Sequence, residues 1–175
     1  MQIRYNEDKH AKLREVAKGL FMTLPGIGKF EGMPLLGAFY DVEMTVDMTD
    51  EGIRATAVKV TAQQGSPPVT GTILRAVRVW DALREVIVLG TRPGSRHERG
   101  VLVRVEGLSE EKLVALRQQG PTDETLEWVA YFYKLGGVLG LPPAKQVELS
   151  FEIPRTTASK WVRRAREKGL IDGKH

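Results

Sequence analysis

Chemistry in a protein starts from side chains that can bind a metal, attack a bond or hold an anion. The three histidines of this 175-residue chain, His10, His97 and His175, stand far apart. No two of them share the spacing that a metal site requires. Cysteine is absent, which removes thiol chemistry and disulfides and fits a reducing compartment. No nucleophile elbow, His-Glu-x-x-His helix or dinucleotide fingerprint occurs. Gly26-Ile27-Gly28-Lys29 looks at first like a phosphate loop. The earlier glycine of that pattern is missing, however, and Phe30 follows the lysine where Ser or Thr would hold a metal ion. These absences predict no catalytic residue, no metal and no cofactor. What remains is recognition of anions and base edges. Arg155, Thr156, Ser159, Lys160 and Arg163 bring guanidinium, ammonium and hydroxyl groups together, as contact with phosphates and the major groove requires.

Those residues must be positioned by a helix. Ala158, Trp161, Val162 and Ala165 recur at helical spacing and define a buried stripe over Arg155 to about Lys168. The polar residues fall mostly on the other side. A shorter helix over Ala144–Phe151 precedes it, opened by Pro142-Pro143, because proline suits a first helical turn. A tight turn at Phe151–Pro154 joins the two. Upstream, Thr122 or Asp123 caps a supporting helix from Glu124 to about Leu135, with Leu126, Val129, Ala130 and Tyr133 inward and Gly136-Gly137 at its end.

This segment resembles the helix-turn-helix of bacterial and phage DNA-binding proteins. Val147, Phe151, Ile153, Ala158 and Trp161 match the motif's five buried positions. Pro154 through Ser159 resembles the start of a recognition helix, and Ala165 through Ile171 resembles its basic exit into Gly-Leu-Ile. Two positions depart: Glu148 stands where a small residue is usual, and Glu152 where glycine is usual. The resemblance covers about the last third of the chain. It implies a three-helix module of support, crossing helix and recognition helix. Only Asp172–His175 follow, so no β-hairpin wing is expected. Arg155, Thr156, Ser159, Lys160 and Arg163 are the candidates for base contacts, and Lys145, Thr157, Arg164 and Arg166 for phosphates.

The location of the charge agrees. The net charge is +4, with eight Lys/Arg against four Asp/Glu from Ala144 to His175 and 18 of each sign before it. The whole excess sits in the candidate binding unit, the footprint of a nucleic-acid binder.

The remaining chain reads as an α+β domain over residues 1–120, followed by the DNA-binding domain over 121–175, with Gly120-Pro121 as the boundary. Residues 7–21 read as an amphipathic helix, capped by Asn6, with Leu13, Val16, Ala17, Leu20 and Phe21 as its stripe. Thr23–Gly37 reads as irregular. Tyr40, Val42, Met44, Val46 and Met48 alternate with Asp41, Glu43, Thr45 and Asp47, which predicts a strand. A turn at Thr49–Gly52 returns it through Ile53–Thr61 as an antiparallel hairpin with one wet, charged face. Thr70–Leu74 reads as a helical turn. Val79–Leu89 fits either a helix, with Trp80, Leu83, Val86 and Ile87 inward, or a strand. Thr91–Gly100 reads as a basic loop, Val101–Val105 as a short strand, and Glu110–Gln119 as a helix capped by Ser109 and stopped by Gly120.

The 42% hydrophobic content is that of a globular protein. No run of about twenty apolar residues and no signal-type amino terminus is present, so a cytoplasmic protein without a membrane span is expected. Together these features predict a sequence-specific binder of double-stranded DNA, a transcriptional regulator acting as a homodimer. Two alternatives use the same helices: a phage- or plasmid-type accessory of DNA replication, packaging or recombination, or a module that binds a protein partner.

Overall fold

The alternation around Tyr40 does form a strand, and the sheet grows outwards from it. The computed structural model describes residues 1–96, 102–104 and 109–171. β1 (Gln2–Ala17), β2 (Leu20–Leu35), β3 (Ala38–Thr49) and β4 (Gly52–Ala62) follow one another as a meander. In the β3–β4 hairpin Met44 lies opposite Val58 and Glu43 opposite Lys59. Tyr40, Val42, Met44 and Val46 are fully buried, and the acids between them stay at the surface, as the alternation requires. Beyond the sheet come α1 (Gly71–Ala76), capped by the Thr70 side chain, and α2 (Val79–Gly90). Short strands β5 (Thr91–Arg96) and β6 (Leu102–Arg104) pair antiparallel with each other. α3 (Glu110–Gln119), α4 (Asp123–Val138), α5 (Pro143–Phe151) and α6 (Arg155–Glu167) complete an α+β protein.

The chain forms two compact units: Met1–Val16 with Met22–Thr91, and Ala17–Phe21 with Arg92 onward. In the first, α2 sets Leu83, Val86 and Ile87 into the core. The second holds a core of Leu116, Leu126, Trp128, Val129, Val147, Phe151, Ala158, Trp161, Val162 and Ala165 among others. Leu116 belongs to α3, so that helix shares its core with α4–α6 and is not part of the sheet unit. The units therefore part near Thr91, upstream of the Gly120-Pro121 boundary expected from sequence.

Four expectations are corrected. Residues 7–21 are not a helix: β1 runs to Ala17, Lys18 and Gly19 turn the chain, and Gly19 takes a φ of +70°. The supposed apolar stripe straddles that turn, and Leu13 is 49% exposed. Thr23–Gly37 is not irregular but is occupied mostly by β2, which runs through a cis Leu24–Pro25 bond. Its glycines reflect packing. A Cβ on Gly26 would strike the Tyr5 ring, and one on Gly28 would strike the Val86 side chain. Gly136-Gly137 do not end α4, which continues to Val138. Gly136 lies where a Cβ would come within 2.9 Å of Pro143 Cα and Gln146 Cβ, so its bare backbone lets α5 approach α4. Finally, Trp80 is not inward but 45% exposed, with the Arg84 guanidinium 5.4 Å from its ring centre.

Val79–Leu89 resolves as a helix, and the Ser109 side chain caps α3 as expected. The expected basic loop over Thr91–Gly100 is instead the strand β5 as far as Arg96, and its remainder, which carries His97 and Arg99, lies outside the described residues. Among the described residues, no helix is long and apolar enough to cross a membrane.

Candidate nucleic-acid interface

The local sequence dictates how α6 is held. Phe151 ends α5, and Glu152 takes a left-handed conformation, φ 50° and ψ 43°. Most residues avoid this region because Cβ crowds the following carbonyl. Glu152 thus adopts the glycine-like geometry that a tight exit needs. The Ile153 N–H donates to Glu148 O at 3.2 Å and closes the turn. Ile153 is buried, and Pro154 then leads directly into α6 with its φ fixed near −58°.

Ala158, Trp161, Val162 and Ala165 are all buried. The rings of Phe151 and Trp161 meet edge to face at 5.4 Å, and those of Phe132 and Phe151 at 5.5 Å. Such aromatic pairs add about 0.5–1.5 kcal/mol each beyond the area they bury. The rotation of α6 about its own axis is therefore fixed from within.

That fixed rotation sets the outer face. At about 100° per residue, Thr156, Ser159, Lys160 and Arg163 project opposite the buried stripe, and all four are exposed. Arg155 stands on one edge of this face, and Thr157 and Arg164 stand on the other. The five candidate base-contact residues thus share one exposed surface, and Arg164 and Thr157 flank it. α6 has no acid in its first turn and no side-chain cap, so its positive dipole end is not offset locally.

Pairing divides the cations along the helix. Arg166 donates to the Tyr133 hydroxyl at 2.6 Å, with its guanidinium carbon 5.2 Å from the ring centre. Lys168 pairs with Asp123 of α4. The far end of α6 is thereby tied down, and Arg166 lies against α4 rather than on the outer face. Arg163 makes an i,i+4 pair with Glu167 at 3.6 Å, both side chains well exposed. A pair of that kind contributes little. Among the described residues, Arg155, Lys160 and Arg164 have no ion-pair partner. On α5, Lys145 meets Glu148 at 2.5 Å. Pro142, Ala144, Lys145, Glu148 and Arg155 line an open cleft of 390 Å³ between the starts of α5 and α6.

Tyr133, Asp123 and Glu148 escaped the sequence reading as site residues. Tyr133 and Asp123 act through contacts set by the tertiary fold, whereas the Glu148 contact to Lys145 is local and its i,i+3 spacing was there to be read. Among the described residues, no three His, Asp or Glu side chains gather as metal ligands. No protein-family model, curated protein or solved structure matches this chain.

Proposed function

We propose that α5 and α6 form a helix-turn-helix that binds double-stranded DNA in a sequence-specific manner, and that the protein is a cytoplasmic transcriptional regulator acting as a homodimer. One observation carries this reading. The outer face of α6 presents Thr156, Ser159, Lys160 and Arg163 together, with Arg155 at its edge, on the side away from the buried stripe that holds Trp161. A helix of this width and polarity fits the major groove, where Arg or Lys pairs with guanine and hydroxyls accept or donate to several base edges. Arg164 and Thr157 at one edge, and Lys145 on α5, are the groups for phosphates, which fix orientation and affinity. Arg166 serves mainly to hold α6 on α4 through Tyr133.

One recognition helix reads only a few base pairs, so two copies on a two-fold site are the expected arrangement. Selection of bound fragments from random and genomic DNA tests the proposal. A recovered palindromic sequence with two equivalent half-sites supports it. Recovery of no common sequence, with capture of a protein partner by the same helices, contradicts it in favour of protein recognition.

A further inference from the structure

The cleft at the starts of α5 and α6 contains a charge of the wrong sign for a surface that meets phosphates. Glu148 is held there, with 21% of its side chain exposed, against the Lys145 ammonium at 2.5 Å. Arg155 lines the same cleft from the other helix, and among the described residues it has no ion-pair partner. A duplex phosphate reaching Lys145 meets an ammonium that is already paired with a carboxylate. That carboxylate also repels the incoming anion.

We infer that Glu148 is an internal competitor of the DNA backbone that holds the affinity of this module down. The inference rests on the DNA-binding reading and adds its regulation. Lys145 is an anion-binding group kept occupied in the free protein, and binding exchanges its intramolecular partner for a phosphate. Because the contact is to the backbone, the exchange lowers affinity equally for all sequences and carries no base information. On α6, Lys160 and Arg164 face no such competitor, while Arg163 has a looser one in Glu167 at 3.6 Å.

The test is Glu148→Gln, which keeps the side chain's shape and removes its charge, in the full-length protein. Binding to a selected duplex and to an unrelated duplex is measured over a salt series, alone and in a Lys145→Met background. Thermal unfolding of each variant confirms that the helical unit is intact. The expected result is tighter binding to both duplexes by about three- to tenfold near 0.1 M salt, with the salt slope steeper by about one per bound copy. In the Lys145→Met background the added slope disappears. Unchanged or weaker binding by Glu148→Gln, a change confined to one duplex, or a steepening that survives Lys145→Met overturns the inference while leaving DNA binding intact. A wild-type protein that retains neither duplex contradicts the DNA reading itself, and this inference with it.

Discussion

The sheet around β3 and the first turns of α6 treat their cations in opposite ways. On the sheet, Lys29 and Lys59 flank Glu43 across neighbouring strands at 4.0 and 3.8 Å, and Arg54 turns to Glu51. Around Glu43 charge is neutralised where it stands, whereas Lys9, Lys12 and Arg14 of β1 have no ion-pair partner among the described residues. On α6 the basic groups of the first turns, Arg155 and Lys160, have no ion-pair partner among the described residues, and only the far end is tied, to Tyr133 and Asp123. A surface selected only for solubility gains nothing from concentrating like charges on one helix. The difference is in keeping with the interaction surface proposed for α6. Tryptophan placement follows the same division. Trp161 is 7% exposed and orients α6, whereas Trp80 is 45% exposed on α2.

The largest effect expected from this contrast comes from those two rings. Trp161→Ala empties a core position and removes the edge contact to Phe151, and it should cost about 3–5 kcal/mol. Trp80→Ala should cost under about 1 kcal/mol. Chemical denaturation read by circular dichroism separates the two, and similar losses would erase the distinction between them.

The adjacent glycines of α4 sharpen the point at smaller scale. Gly136→Ala forces a methyl against the Pro143 backbone and should destabilise by about 1–3 kcal/mol. Gly137 has nothing within 4 Å of the same added atom, and Gly137→Ala should stabilise by about 0.5–1 kcal/mol through helix propensity. Opposite signs in melting temperature at neighbouring positions are the expected outcome.

Binding contributes a third pair. Lys160→Ala should lose about 1–3 kcal/mol of discrimination between a selected and an unrelated duplex. Arg164→Ala, at the edge of the face, should weaken both equally. A uniform loss from Lys160→Ala would reassign it to a phosphate.

The smallest effects concern two left-handed residues other than glycine among the described residues, one in each unit: Leu36 at φ 51° in the β2–β3 turn and Glu152 at φ 50°. Leu36→Asn should raise stability by about 0.5–1 kcal/mol, since asparagine before glycine suits this two-residue turn. Glu152→Gly should gain a similar amount, less the exposed pair to Arg117 at 2.9 Å. Thermal melts of the two variants check both.

The legibility of the fold in the sequence followed the locality of its causes. α5 and α6 were readable because their buried stripe repeats at 3.6 residues and their boundaries carry prolines. β3 and β4 were readable because one face is buried and the other wet. β1 was not, because none of its residues is fully buried and most of its side chains are polar, so no sustained alternation survives. The glycines of β2 and α4 read as breaks because their reason lies elsewhere in the chain, in Tyr5, Val86 and Pro143. The candidate face of α6 followed from periodicity alone. The capture of Arg166 by Tyr133, 33 positions earlier, did not, because no local pattern encodes it.

The most direct test is the salt dependence of duplex binding by the wild-type protein. If Arg164 meets the backbone and Arg155 and Lys160 enter the groove beside it, these three cations displace counterions, and log affinity should fall linearly with log salt, with a slope of about −3 per bound copy. Arg155→Ala with Arg164→Ala should flatten that slope by about two-thirds. Affinity independent of salt, or a slope untouched by these substitutions, would contradict the assignment of this face to DNA.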